Sequence, residues 1–223
     1  MPHDTGLTAV TGARATERVS LYDRFARLYD ITFKFNRYGH SVERYLRERS
    51  LPLPDDTEIL DAGCGTGLLT LAILKTLRRP ARVTAIDLSA PSLAEAKQAA
   101  SRERTRHAVQ FLQANLLSLP FADDSFDFIA TSGALEYVPL GEGLAELARV
   151  LRPGGHLLHL PVRPAPASLL LEWMFRFKTH PPREVEAHTR KYFRVVEQYR
   201  FPPLEPIGWT KLAILARKKA VSD

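Results

Sequence analysis

Three observations predict an α/β chain with a mostly parallel sheet and helices on both faces. The apolar run Ile59-Leu60 ends in Asp61 and enters Ala62-Gly63-Cys64-Gly65-Thr66-Gly67, and Leu68-Leu69-Thr70-Leu71-Ala72-Ile73-Leu74 follows. That order reads as strand, tight loop and helix. Glycine has no Cβ, so the loop can turn sharply and bring its backbone against a ligand, while a helix starting near Gly67 aims unpaired N–H groups at the same place. Next, Arg82-Val83-Thr84-Ala85-Ile86 is a second apolar strand, ending in Asp87. Finally, strand-like and helix-like segments alternate from there to the C-terminal end, as in successive parallel βαβ units.

The elements follow in order. Residues 1–18 are mostly small and polar and are expected to be a disordered tail. Residues 19–50 are expected to be a helical arm: Leu21, Tyr22, Phe25, Leu28, Tyr29, Thr32 and Phe33 recur at helical spacing, and a second helix spans Ser41 to Arg49. Leu51-Pro52-Leu53-Pro54-Asp55-Asp56 is a proline-punctuated linker into the main domain, residues 51–223. Ser89 and Pro91 open a helix that runs from Pro91 to about Arg104. Ala108 to Gln113 and Phe126 to Ala130 are the third and fourth strands, and Leu144 to Leu151 is a helix. Arg152-Pro153-Gly154-Gly155 breaks that helix ahead of a fifth strand, His156 to Leu160. An insertion at about 161–190 contains the apolar helix Leu169 to Lys178, and Phe193 to Phe201 and Ile207 to Ala216 read as the last two strands.

Asp61 decides what the glycine loop holds. A dinucleotide loop is spaced G-x-G-x-x-G and seats a pyrophosphate on the helix N-terminus. Here the spacing is D-x-G-x-G-x-G, with a carboxylate placed at the lip of the loop. It would repel a pyrophosphate and favour a ligand that carries positive charge beside an adenosine. S-adenosyl-L-methionine, with its sulfonium and ammonium, has that charge pattern. Asp87 stands twenty positions after Gly67, the interval expected of an acid that accepts from ribose hydroxyls. The nonapeptide Ile59 to Gly67 resembles motif I of the class I S-adenosylmethionine-dependent methyltransferases, which implies a Rossmann-like sheet of seven strands with one of the last two reversed. The resemblance implies cofactor contacts at Asp61, Gly63, Cys64, Gly65, Gly67, Asp87 and the adjoining Leu88. Cys64 needs only to be small, because methyl transfer from a sulfonium does not require a thiol nucleophile.

Further motifs extend the resemblance from about Leu21 to Arg217. Tyr22-Asp23-Arg24-Phe25-Ala26-Arg27-Leu28-Tyr29-Asp30 with Arg37-Tyr38-Gly39-His40 is similar to the N-terminal arm of the ubiquinone/menaquinone-biosynthesis methyltransferases, where the arm closes over the cofactor, so Tyr29 is implied as a cofactor contact. Asn115-Leu116 precedes Leu119-Pro120-Phe121 and Ser125-Phe126-Asp127, close to the family's second signature; Asn115 stands where that family has an acid, and its amide oxygen can still accept from an adenine amino group. Ser132, Gly133 and Glu136 fall just beyond the fourth strand, where ligands of open parallel sheets bind. Tyr137 occupies a position where the family often has histidine. Leu160-Pro161-Val162-Arg163 replaces a Leu-Glu-Phe-Ser run of the quinone enzymes, which argues against assigning quinone biosynthesis outright.

The resemblance implies transfer of the sulfonium methyl to a nucleophile. The donor is already activated, so the protein has to align the atoms and exclude water. Glu136 and His159 are the candidate proton acceptors; such residues are more often pocket-wall or packing residues. No metal is expected: His156 and His159 are three apart in a strand and point to opposite faces. The expected acceptor is a small, hydrophobic or lipid-like molecule: a quinone precursor, a phospholipid headgroup or a natural product. The apolar insertion either caps such a substrate or dips into a lipid surface, and packing against the core explains it equally well. A non-catalytic S-adenosylmethionine sensor and a nicotinamide-dependent oxidoreductase are the competing classes.

Composition sets outer limits. A chain of 223 residues fits one domain. Its net charge of +6 is spread along the sequence with no nucleic-acid motif attached, so no nucleic-acid partner is expected. A single cysteine excludes an intrachain disulfide. There is no secretory h-region and no apolar run of membrane-spanning length, so the expected location is the cytoplasm, with peripheral membrane contact through the insertion. The sequence is silent on oligomeric state.

Overall fold

The computed structural model describes residues 38–49, 53–165, 168, 169, 172 and 177–220. The tail, the first arm helix with Tyr29, and most of the apolar insertion helix lie outside the described residues. In chain order the elements are α1 (Tyr38–Glu48), β1 (Thr57–Ala62), α2 (Leu68–Thr76), β2 (Ala81–Asp87), α3 (Ala90–Ser101), β3 (Ala108–Gln113), β4 (Phe126–Ser132), a 3-10 turn (Leu135–Tyr137), α4 (Leu140–Val150), β5 (Leu151–Leu160), α5 (Pro182–Tyr192), β6 (Phe193–Arg200), α6 (Ile207–Thr210) and β7 (Leu212–Lys218).

The strands form one seven-stranded sheet in the order β3-β2-β1-β4-β5-β7-β6. β1 pairs in parallel with β2 and β4, β2 with β3, and β4 with β5, while β7 runs antiparallel to both β5 and β6. The expected mixed α/β sheet with a reversed strand is therefore present. Central strands are apolar on both faces because both are covered: β1 is buried at every position but Glu58. The edge strands β3 and β6 instead alternate exposed with part-buried or buried residues, as half-covered strands do.

One face of the sheet carries Ile59, Val83, Phe128, Ala130, Leu158, Leu160, Ala213 and Leu215. It packs against α2 and against Tyr38, Val42, Tyr45 and Leu46 of α1, whose three- and four-residue spacing makes one apolar stripe. The other face, with Leu60, Ile129, Leu157 and Ile214, packs against Leu144 and Leu147 of α4 and Val185 of α5. Sheet order reverses between β1 and β4, so the crevice at the carboxyl ends of these strands is the topological switch point where such folds bind ligands.

Several element boundaries differ from the sequence expectation: α4 starts at Leu140 rather than Leu144, the helix α5 was not expected, and two differences have a clear local cause. The run Ile207 to Ala216 is not one strand: Ile207–Thr210 is a helical turn, and β7 begins at Leu212. Pro206, at φ −55°, starts the turn, and Gly208 lets it press on the carbonyls of Phe201 and Pro202, where a Cβ would sit 2.6 and 2.8 Å from their oxygens. Likewise Arg152-Pro153-Gly154-Gly155 does not precede β5 but lies inside it, where the β4–β5 register shifts between Phe126 and Phe128. Arg152 Nη1 donates to Asp127 at 2.6 Å and ties that irregular stretch to β4.

Candidate active site

The glycine loop closes the carboxyl end of β1. Gly63, Gly65 and Gly67 have φ of +75°, +53° and +90°, backbone conformations that favour glycine. Space excludes side chains at two of them as well: a Cβ on Gly63 would lie 2.2 Å from Cβ of Ala134, and one on Gly67 3.0 Å from Cβ of Ala96. The loop is anchored to β2, since Gly63 N and Cys64 N both donate to the Ile86 carbonyl, at 2.9 and 2.8 Å. Cys64 is buried, and burial beside Asp61 and Asp87 raises its thiol far above the normal range. It is an unreactive filler.

Asp61 lies deeper than the lip of the loop. It is fully buried at the end of β1, and its Oδ2 accepts from Thr70 Oγ1 of α2 at 2.5 Å. Its Oδ1 is buried with no hydrogen-bond partner. Desolvation, opposed in part by the Thr70 hydrogen bond and reinforced by Asp87, raises its pKa to about 7. A buried carboxylate oxygen left without a partner is costly, and a cation brought to the loop would relieve it. The residues present thus fit a cationic cofactor.

Asp87 ends β2. Its Oδ2 accepts from Gly65 N at 2.8 Å and its Oδ1 from Ser89 N at 2.9 Å, so one carboxylate fixes both the glycine loop and the start of α3. Leu88 beside it is half exposed. Beyond β3, Asn115 is exposed and its Oδ1 accepts from Leu117 N at 3.0 Å, holding a local turn. Leu116 points into the core against α4, which leaves its backbone for any cofactor contact.

Ser132, the last residue of β4, sits in a polar cluster of which the sequence reading saw only part. Its Oγ is 2.6 Å from the Tyr38 hydroxyl and accepts from Lys211 Nζ at 3.1 Å. Lys211 also donates to the Leu160 carbonyl at 3.3 Å. Tyr38 and Lys211 are both buried. Burial pushes Lys211 down to about 8, with Glu136 acting against that shift. Tyr38 is raised by burial and by the charges of Asp61 and Glu136. Lys211 was missed because it lies in what reads as a continuous strand; the available signal was a single lysine on the inward parity of an otherwise apolar run. Tyr38 was noticed only as part of the arm motif.

The two proposed proton acceptors are both buried. Glu136 lies in the 3-10 turn after β4; its Oε1 accepts from Val162 N at 2.5 Å, and its Oε2 has no partner. His159 is 1% exposed on β5, and neither ring nitrogen has a hydrogen-bond partner. Burial, with the charges of Lys211 and His180, lowers it to about 3, so it is neutral at physiological pH. Among the described residues no group of His, Cys, Asp and Glu could hold a metal.

The fold and this crevice define a class of cofactor-binding α/β domain, and comparison with known proteins identifies it. Residues 60–159 match the family model of a methyltransferase domain. The chain is 30% identical over 215 residues to a demethylmenaquinone methyltransferase of Corynebacterium urealyticum, covering 88% of this chain and 89% of that protein. It is 33% identical over 144 residues to the demethylmenaquinone methyltransferase of Lactiplantibacillus plantarum, covering 63% and 60% of the two chains. Against the first curated relatives, the match spans between 60% and 64% of their length. Among solved structures, geranyl diphosphate C-methyltransferase of Streptomyces coelicolor superposes with a TM-score of 0.66 at 17% identity, over 79% of this chain and 74% of that one. The [4+2]-cyclase SpnF gives 0.66 at 19% identity, over 80% and 81%. These two likenesses show the fold alone. The chain belongs to the class I S-adenosylmethionine-dependent methyltransferases.

Proposed function

We propose that this protein transfers the sulfonium methyl of S-adenosylmethionine to a carbon of a reduced quinone-type or similar lipid-like acceptor. The observation that carries this reading is the alignment with a demethylmenaquinone methyltransferase along 88% of the chain. The crevice supports it. Asp61 has an unpartnered carboxylate oxygen that would face the cofactor's positive end, and Asp87, which anchors the glycine loop, would accept from the ribose hydroxyls, with Leu88, Asn115 and Leu116 on the adenine side in this reading. Bound there, the cofactor supplies an activated methyl group; the chain's own residues bind it, orient it and keep water out.

Pro161 replaces the carboxylate that the quinone enzymes carry at that strand end. Here Glu136 brings a carboxylate to the same stretch from the turn after β4, bonded to Val162 N. This substitution from another element keeps a quinone-type acceptor compatible with the crevice. Among the described residues no helix is long and apolar enough to cross a membrane, so a lipid-like acceptor would be met in solution or at a membrane surface. Incubation with methyl-tritiated S-adenosylmethionine and chemically reduced 2-phytyl-1,4-naphthoquinone tests the reading. Label in the organic phase, with a mass gain of one CH2 on the ring, is expected. Cofactor binding with no labelled lipid would favour a non-catalytic sensor, and label confined to water-soluble products would exclude the lipid-like acceptor.

A further inference from the structure

The buried Lys211–Ser132–Tyr38 cluster lies at the carboxyl end of β4, on the side of the sheet where ligands of such folds bind. Lys211 Nζ donates to Ser132 Oγ at 3.1 Å, and that oxygen is 2.6 Å from the Tyr38 hydroxyl. The three residues come from the start of β7, the carboxyl end of β4 and the arm helix α1. Tyr38 feels the charges of both Asp61, at the end of β1, and Glu136, in the turn after β4. The cluster is therefore within electrostatic reach of carboxylates on both β1 and the turn after β4.

We propose that Lys211, acting through Ser132 and Tyr38, is the proton reservoir of methyl transfer: it gives up a proton when the sulfonium docks and takes one back when the acceptor loses its own. The balance closes. The acceptor's X–H bond breaks and an X–CH3 bond forms. The S–CH3 bond breaks with its electron pair kept on sulfur, which becomes a neutral thioether. The proton enters at the Tyr38 hydroxyl, Tyr38 passes its own to Ser132, and Ser132 passes its own to the neutral Lys211 amine. Lys211 is a positioning residue in this scheme, since it reaches the acceptor only through two hydroxyls.

Charge supplies the timing. Lys211 is already easy to deprotonate, at about 8. Among the described residues Glu136 favours its charged form, while Lys211 in turn, with His180, helps to keep buried His159 on β5 neutral. A second cation entering this low-dielectric crevice drives the amine further towards its neutral form. Once the methyl has left, the sulfur is neutral and the amine regains its affinity for a proton. The cofactor's own charge would thus arm the base before transfer and let it fill afterwards.

Proton release on ligand binding tests this without any acceptor. Titration calorimetry at pH 8 in buffers of different ionisation enthalpy counts protons released by S-adenosylmethionine and by its thioether product, S-adenosylhomocysteine. At pH 8 Asp61 is already largely ionised, and both ligands carry the same ammonium, so the difference between them isolates the response to the sulfonium. The wild-type protein should release on the order of half a proton more with S-adenosylmethionine. Lys211→Met should abolish the difference, and so should Lys211→Arg, which keeps a charge there but cannot lose a proton at this pH. A wild-type protein with no difference between the ligands would overturn the proposal on its own. A difference that persists in either variant would do the same. Absence of heat with both ligands would overturn the cofactor assignment together with this step, whereas a failed naphthoquinone assay would leave it standing.

Discussion

Replacing Asp61 by asparagine should stabilise the cofactor-free protein at pH 8 while removing most of its affinity for S-adenosylmethionine. Burial moves this carboxyl from its ordinary 3.8 to about 7, which corresponds to about 4 kcal/mol held against the ionised form above neutral pH. Asparagine keeps an oxygen for Thr70 but places an amide where Oδ1 has no partner, and an unsatisfied buried donor costs about 1–3 kcal/mol. The expected net gain is therefore about 1–3 kcal/mol at pH 8. The sign follows from proton binding. Between about 4 and 7 the folded protein holds a proton on Asp61 that the unfolded chain has lost, so Asp61 makes stability fall as pH rises through that window. His159 works in the opposite direction: lowered from 6.5 to about 3, it makes stability rise with pH over roughly 3 to 6.5, because there the unfolded chain binds the extra proton. The two slopes nearly cancel in the wild type and separate in the variants. Urea unfolding at pH 5, 6.5 and 8 should show the margin of Asp61→Asn over the wild type growing up to about pH 7 and holding above it, and calorimetry should show ligand binding weakened by on the order of a hundredfold. A variant less stable than wild type at pH 8, with an unchanged pH slope, would refute the account of Asp61 as a buried acid kept for a cation.

Three further outcomes follow from the geometry. His159→Leu should remove a neutral histidine that must charge on unfolding and leave the Asp61 slope unopposed, so that the variant gains stability as pH falls from about 6.5 to 4 where the wild type stays nearly flat; urea midpoints across that range check it. Gly63→Ala should cost about 3 kcal/mol, from a Cβ 2.2 Å from Ala134 Cβ and a φ of +75° that L side chains rarely adopt; thermal unfolding of the cofactor-free protein reads the loss, and a midpoint equal to that of the wild type would contradict the steric reasoning. Arg149→Met should cost about 2 kcal/mol, because Arg149 donates to Glu146, to Asp123 and to the carbonyls of Phe121 and Leu119 and so ties the loop after β3 to α4. Faster amide exchange over residues 115–125 would accompany it.

The parts of this fold that were legible in the sequence are those where one local rule decides. Glycines at Gly63, Gly65 and Gly67 signal a loop that only they can make, an apolar run ending in an acid signals a strand that delivers a carboxylate, and Ser89-Ala90-Pro91 signals a helix start. In the structure Ser89 Oγ does cap α3, accepting from Ser92 N at 3.2 Å. What was illegible depends on partners distant in sequence. Lys211 meets Ser132 across 79 positions and Tyr38 meets it across 94; no window of sequence holds the three together. The turn at Ile207–Thr210 was hidden for a related reason. Its residues look like strand, and Pro206 with the close approach of Gly208 to the Phe201 carbonyl overrides their preference.

The crevice gathers ionisable groups that burial opposes, and this is what a site built around a permanent cation requires. Asp61, Glu136, Lys211 and His159 are each 5% exposed or less. In a core meant only for stability such residues would be replaced by apolar ones at little loss. Asp61 Oδ1, Glu136 Oε2 and both His159 nitrogens lack partners in the protein alone. The arrangement becomes coherent once one positive charge is placed at the glycine loop. On the proposals made above, Asp61 would then ionise against it and Lys211 would yield its proton. Loss of that charge on methyl transfer reverses both responses, so the same groups that hold the donor would weaken their hold on the neutral sulfur of the product. Tighter binding of S-adenosylmethionine than of S-adenosylhomocysteine above pH 7, narrowing as pH falls and Asp61 takes its proton, is the behaviour this arrangement demands, and equal affinities across that range would mean that the buried charges serve something other than the sulfonium.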